Sequence, residues 1–217
     1  MGFSEQRARM VKHLIERGAI SNPRVSLAME TVPRHLFVPR ELQESAYNDA
    51  PLYIGEGQTI SAPHMVGMMV EALELKKGHK VLEVGGGSGY HAAVMAEMVR
   101  PEGHVYSVER IEVLAARARK NLESSGYADD VTTIVADGSK GLPEFSPFDR
   151  ICVAAAAPSV PEPLKQQMAE GGRLLVPVGG KWYQDLILVT RRENVLSQEN
   201  LGGCVFVPLV GEYGFSD

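Results

Sequence analysis

The sequence predicts an α/β fold: a mostly parallel central sheet with helices on both faces, a helical N-terminal extension and an antiparallel hairpin at the C-terminal sheet edge. Three observations predict it. From residue 80 onward, short apolar runs alternate with helical periodicity at the spacing of βαβ units. The first of these runs ends in a glycine-rich turn that opens a helix. The last two runs follow each other with no helix between them. The 217 residues are 44% hydrophobic and 23% charged, close to globular averages, so the chain has apolar material for a sizeable core and wholesale disorder is excluded.

Each element has its local reason. Ser4 is placed to cap a helix running to about Arg17, where Gly18 stops it, and Val11, Leu14 and Ile15 form its buried stripe. Asn22-Pro23 is the cap-then-proline start of a second helix. Pro33 and Pro39 bracket His35-Leu36-Phe37-Val38, and Ala50 to Ser61 mixes Gly, Pro and polar residues without a period, as a structured loop does. Helical spacing returns from Pro63 to Leu75, with Met65, Met69, Ala72 and Leu73 on one face. The strands Lys80 to Val84, Val105 to Val108, Val131 to Val135 and Arg150 to Ala154 follow, with helices Tyr90 to Val99 and Glu112 to Ser125 among them. A helix from Pro161 to Glu170 has Pro163 in its first turn and Gly171-Gly172 as its stop. Arg173 to Pro177, Asp185 to Thr190 and Cys204 to Val207 complete the strands, with Arg191 to Asn200 as the hairpin loop.

Charge and length exclude several functions. Twenty-two Lys and Arg against 27 Asp and Glu give a net charge of -5, without the positive field that non-specific phosphate binding needs, so no nucleic-acid partner is expected. The longest uncharged apolar run, Ile151 to Pro161, is too short to span a bilayer, and the opening MGFSEQRARMVKHL has charges where a signal peptide needs an apolar stretch. Neither a membrane nor a secretory route is expected. Cys152 and Cys204 sit far apart in apolar surroundings, which suits buried reduced thiols in the cytoplasm better than a disulfide or a metal site.

The chemistry concentrates in Val81-Leu82-Glu83-Val84-Gly85-Gly86-Gly87-Ser88-Gly89-Tyr90. A buried strand delivers the chain into a turn whose missing side chains let a ligand meet the backbone at a helix N-terminus. Glu109 ends the next strand, at the spacing where a carboxylate accepts from both hydroxyls of a ribose. Together they indicate a nucleoside-containing ligand at the carboxyl ends of the strands. Read from Gly87, the turn satisfies G-x-G-x-x-A and admits a dinucleotide. Read from Glu83, it is E-x-G-x-G-x-G, the S-adenosylmethionine pattern, and an acid before the first glycine suits a cationic amino acid end better than a pyrophosphate. Asp137-Gly138, at the end of the third strand, suits an adenine amino group with close backbone approach. A nicotinamide-dependent reductase and a non-catalytic nucleotide-binding module remain the alternatives at this point.

From Val11 to Gly214 the chain resembles the protein-L-isoaspartate (D-aspartate) O-methyltransferases. The motifs that carry the likeness are Gly57-Gln58-Thr59-Ile60-Ser61-Ala62-Pro63-His64, Val81 to Tyr90, Tyr106-Ser107-Val108-Glu109-Arg110, Asp137 to Pro143, Ala155-Ala156-Ala157-Pro158, Gly171 to Leu174 and Phe206 to Gly214. The resemblance implies a Rossmann-like S-adenosylmethionine-dependent methyltransferase fold in one domain, 1–217. Its parts would be a helical N-terminal part with the active-site loop (1–79), a nucleotide-binding core (80–178) and a C-terminal hairpin with the substrate-cleft tail (179–217).

The resemblance also implies the roles. Gly85, Gly87 and Gly89 approach the methionine part of the donor, Glu109 binds its ribose, Asp137 and Gly138 hold the adenine, and Thr59, Ile60, Glu83 and Arg110 complete the donor contacts. Ser61 is the active-site hydroxyl, and Ala157, Pro158, Val210 and Tyr213 belong with it to the substrate cleft. The implied reaction is methyl transfer from S-adenosylmethionine to the free carboxylate of L-isoaspartyl and D-aspartyl residues in damaged proteins. It leaves S-adenosylhomocysteine and an ester that collapses to succinimide, without a metal, in a monomer. Two departures stand out: Gly86 and Ala154 occupy positions where the family has Thr.

Overall fold

The computed structural model of the chain describes residues 2–216. α1 (Phe3–Glu16) starts earlier than a Ser4 cap would place it: Gly2 is the cap, and its N–H donates to Glu5 Oε2 at 3.0 Å, closing the first turn. Gly18, at φ +70°, stops it as expected. Met10, Val11 and Leu14 are buried, but Ile15 lies on the exposed side, so the expected stripe is shifted by one position. In α2 (Pro23–Thr31) the Asn22 side chain accepts from Arg24 N–H at 2.9 Å, and Pro23 occupies the first turn.

The stretch expected as a loop holds a small hairpin, β1 (Leu52–Gly55) and β2 (Gln58–Ile60), turned by Glu56 and Gly57, both at positive φ. Four- and three-residue strands are too short to show a period, which is why the sequence pattern hid them. α3 (Pro63–Leu73) ends at Glu74, which is left-handed, just short of Leu75. Met69 and Leu73 are buried, and Met65 and Ala72 pack partly buried against the same core.

The sheet is built from β3 (Lys80–Val84), β4 (His104–Glu109), β5 (Val131–Val135), β6 (Phe148–Val153), β7 (Met168–Gly179), β8 (Gln184–Arg192) and β9 (Val195–Cys204), in the spatial order β5-β4-β3-β6-β7-β8-β9. The first five are mutually parallel and the last two antiparallel. Alternate residues of the strands enter separate cores. Val81, Val105, Cys152 and Leu175 join the core that also holds α1 to α3, α4 (Tyr90–Val99) and α5 (Glu112–Ser125). Leu82, Val108, Ile151 and Leu174 face the opposite core, closed by Leu142, Leu209 and the short α6 (Glu162–Gln166). Burial on both faces explains why these strands read as continuous apolar runs.

Two expectations fail towards the C-terminus. The helix expected from Pro161 to Glu170 ends at Gln166, because Phe148 N–H donates to Gln167 O at 2.8 Å and Met168 already pairs with Phe148 in the sheet. Gly171-Gly172 therefore does not stop a helix. It lies in β7 where the register slips between the Phe148 and Arg150 pairings, with Gly171 at φ +73°. The loop expected over Arg191 to Asn200 is also absent. Glu193 and Asn194, at φ +51° and +60°, make a two-residue turn, and β9 runs through the segment to end at Cys204 instead of starting there. Val195 to Asn200 are exposed throughout, so no face imposes an alternating pattern on this edge strand.

Candidate active site

Val108 O accepts from both Gly85 N–H (2.9 Å) and Gly86 N–H (3.1 Å), which folds the glycine turn over the end of β4. Gly85, Gly87 and Gly89 have φ of +90°, +52° and +87°, a region that costs a side-chain-bearing residue about 1–2 kcal/mol. Gly85 and Gly87 expose their backbone to a cavity at the carboxyl ends of the parallel strands, about 720 Å³ with the open space at its mouth, whereas Gly89 lines neither this cavity nor the one beside it and faces Ala118 and Leu122 of α5. Gln58 and Thr59 of the small hairpin form one wall, and Val207 to Val210 of the tail form another.

Glu109 organises this cavity. It is buried, its Oε2 accepts from Gly87 N–H and its Oε1 from Ile111 N–H, each at 2.9 Å. Each oxygen keeps a second lone pair, so the carboxylate shapes the turn and still has acceptors for a diol. Arg110 lies beside it in the lining. Gly138 must lack a side chain, since a Cβ there would come within 2.6 Å of Val84 Cγ1. A carboxylate with acceptor sites to spare and glycine backbone open to the cavity fit a nucleoside bound through backbone and carboxylate.

A second, smaller cavity, about 340 Å³ with the open space at its mouth, shares Thr59, Gly85, Gly87 and Ala154 with the first and adds Ile60 and Ser61. The Ser61 hydroxyl makes no hydrogen bond with any described residue. The residue at the cap of α3 is Ala62, so the Ser61 side chain does not serve the helix. His64, in the first turn of α3, pairs instead with Asp49, Nδ1 to Oδ1 at 2.8 Å. The two departures from the family pattern, Gly86 and Ala154, line this second cavity. Gly86 has a steric reason: a Cβ there would collide with Ser107 Oγ, which is occupied in a hydrogen bond to Glu83.

Several expected residues lie elsewhere. Glu83, expected to face the donor's cationic end, lines neither cavity. It is fully buried on the α4 side of the sheet, with Oε2 accepting from Ser107 Oγ at 2.5 Å and Oε1 3.8 Å from His91 Nδ1. Asp137 is absent from the lining too. Its Oδ1 accepts from Ser139 N–H and Oγ–H and its Oδ2 from Glu212 N–H, and these bonds hold its carboxylate below the usual range despite burial. It ties the tail over the strand ends, assisted by Tyr213 N–H donating to Ser139 Oγ and by the Lys140–Glu212 ion pair. Ala157 is buried and bonded to β7 through Pro177 O and Gly179 N–H. Pro158 and Tyr213 line a separate open groove, while Val210 lines the first cavity. Gln58 and the Val207 to Leu209 segment carry the family likeness without an expected contact, and Ile111 carries neither, because only the fold sets them against the strand ends.

The Glu83–His91 contact makes a pH prediction. Burial first, and the Glu109 charge last, push Glu83 up to about 8 against the Ser107 hydrogen bond, while burial pushes His91 down to about 4. Both are neutral near pH 7, so the contact is not an ion pair. A raised carboxyl stabilises the fold below its unfolded value near 4.5 and loses that contribution as pH rises to 8. A lowered histidine adds stability as pH rises from 4 to 6.5. The two slopes oppose each other between pH 4.5 and 6.5, leaving a net fall of about 1.4 kcal/mol per unit, roughly 2 kcal/mol in all, from there to pH 8. Urea unfolding at both ends of that window should show this loss in the wild type and not in Glu83→Gln; parallel behaviour would remove Glu83 as its source.

Comparison with known proteins gives one consistent result. The family model described as protein-L-isoaspartate(D-aspartate) O-methyltransferase (PCMT) matches residues 5–214. A protein-L-isoaspartate O-methyltransferase from Hyperthermus butylicus is 54% identical over 99% of this chain and 92% of its own, and one from Methanothrix thermoacetophila is 58% identical over 89% and 91%. Among solved structures, a protein-L-isoaspartate O-methyltransferase from Plasmodium falciparum in complex with S-adenosyl-L-homocysteine superposes with a TM-score of 0.84 at 28% identity, covering 94% of this chain and 98% of its own.

Proposed function

The chain belongs to the protein-L-isoaspartate(D-aspartate) O-methyltransferase family, and on that premise we propose how its residues divide the work of carboxyl methylation. The protein is an S-adenosylmethionine-dependent methyltransferase that acts on isoaspartyl residues of damaged proteins. One observation supports the division best: the large cavity and the Ser61 cavity meet at the glycine turn, through Thr59, Gly85, Gly87 and Ala154.

In this reading Gly85 and Gly87 admit the methionine part of the donor, Gly89 only turns the chain into α4 against Ala118 and Leu122, Glu109 accepts from the ribose, and Gly138 leaves room for the adenine. Arg110, Thr59 and Ile60 flank it. Asp137 and Glu83 act indirectly, Asp137 by holding the tail and Glu83 by packing beneath the turn. When bound, S-adenosylmethionine supplies an electrophilic sulfonium methyl. The acceptor carboxylate, with a reference pKa near 4, is already ionised at neutral pH, so the site needs no general base. What the chain supplies is alignment, worth up to roughly 7–11 kcal/mol, and exclusion of water from charges that partly cancel as the methyl moves. Ser61 orients the acceptor with its hydroxyl. The groove with Pro158 and Tyr213 takes the flanking peptide, and Ala157 fixes its wall.

The same proposal places the protein in the cytoplasm as a monomeric, single-domain enzyme acting on D-aspartyl sites as well. The buried, unpaired Cys152 and Cys204 support that compartment, and no helix among the described residues is long and apolar enough to cross a membrane. The test uses two peptides differing only in an aspartyl or isoaspartyl linkage, with labelled S-adenosylmethionine and base-labile methanol as readout. Label on the isoaspartyl peptide alone is expected; NADH binding with no label on either would restore the dinucleotide reading.

A further inference from the structure

Arg34 is fully buried and makes no ion pair with any described residue. Its Nε donates to Ala46 O and its Nη2 to Ser61 O, both at 2.8 Å, while Nη1 is buried with no partner. The guanidinium lies 4.8 Å from the centre of the Tyr90 ring and interacts with the buried Tyr90 hydroxyl, which is a neutral partner and supplies no countercharge. The carboxylate whose charge reaches Arg34 is Asp49, the weakest influence on it, and Asp49 is engaged by His64 and Arg17. Burying a guanidinium without a carboxylate is costly, and here the cost falls directly behind Ser61 and Tyr90, both of which line the smaller cavity.

We propose that Arg34 is a positioning residue whose uncompensated charge makes the Ser61 cavity selective for an anionic acceptor, while its hydrogen bond to the Ser61 carbonyl holds the hydroxyl in place. The countercharge missing from the protein is the substrate's own carboxylate. At low local dielectric a cation one side chain away from the cavity attracts an anion far more than a surface lysine does, and dissolved salt screens it little. The neutral ester leaves a site built for a charge, which favours release of product. The Pro33-Arg34 context carries no motif, so this role is visible only once the chain folds Ala46, Ser61 and Tyr90 around it.

The inference rests on the placement of the acceptor beside Ser61, and the test separates the two. The affinity of an isoaspartyl peptide is compared with that of the same peptide carrying the neutral isoasparaginyl residue, by competition, in wild type, Arg34→Gln and Arg34→Lys. Wild type should prefer the acid by about tenfold, with the ratio nearly flat up to roughly 0.5 M salt. Arg34→Gln should bring the ratio close to one with S-adenosylhomocysteine affinity retained, and Arg34→Lys should restore most of it. Equal weakening of both peptides in Arg34→Gln would reduce Arg34 to a structural strap and overturn the proposal. So would a wild-type ratio near one, or one that collapses with salt, and these need no variant to fold. Activity indifferent to Ser61 would instead overturn the placement on which the inference stands.

Discussion

Ser61→Ala is expected to lower kcat by about 100-fold while leaving the dissociation constant for S-adenosylhomocysteine within about twofold. The asymmetry follows from what Ser61 touches. Its hydroxyl has no hydrogen-bond partner among the described residues, so removing it breaks nothing in the protein. Its neighbours in the cavity are the residues shared with the donor site, so an acceptor held by that hydroxyl stands next to the donor. Alanine keeps the backbone carbonyl that Arg34 binds, and the loop should stay in place. Isothermal titration with product and steady-state kinetics with an isoaspartyl peptide separate the two effects. Equal losses in affinity and turnover would mean that Ser61 shapes the donor cavity and does not orient the acceptor.

The second large effect belongs to Glu109→Ala, which should weaken donor binding by about 1–3 kcal/mol, roughly 5- to 150-fold. Two losses add here. The ribose loses its acceptor, and the N–H groups of Gly87 and Ile111 lose the carboxylate that fixes them. Because Gly87 lies in the turn that the donor must approach, disorder there is felt by the donor as well as by the fold. Glu109→Gln is the sharper probe, since it keeps the size of the side chain but presents an N–H₂ to one of two backbone donors. An unchanged dissociation constant in both variants would take Glu109 out of the site.

What was legible in the sequence was whatever repeats over short distances. The parallel strands read clearly because both faces are buried, and the glycine turn because three left-handed positions in five residues demand glycine. Glu109 was legible because it sits at the end of the next strand. The misses have physical reasons as specific. The Glu56-Gly57 and Glu193-Asn194 turns lack the Asn-Gly pair that usually marks such geometry, so one hairpin was read as a loop and the other was given a long loop it lacks. The helix expected to run to Glu170 yields at Gln166 because sheet pairing with Phe148 outweighs local propensity.

Glu83 and Asp137 show the division most plainly. The sequence placed acids at the ends of strands where a ligand would be met, and correctly tied the glycine turn and Glu109 to one cavity. It could not say which face of the sheet each carboxylate would take. Glu83 points into the helix-covered core, where burial raises its carboxyl to about 8, and Asp137 gives one oxygen to Ser139 and the other to Glu212 of the tail. By itself, then, the sequence determined the sheet, the turn chemistry and the family. The tertiary structure alone decided which acids line the cavity, that the Ser61 hydroxyl has no hydrogen-bond partner among the described residues, and that Arg34 is buried behind it. Those outcomes depend on contacts between segments dozens of residues apart, such as Arg34 with Ser61 and Asp137 with Glu212, and no local pattern encodes such pairings.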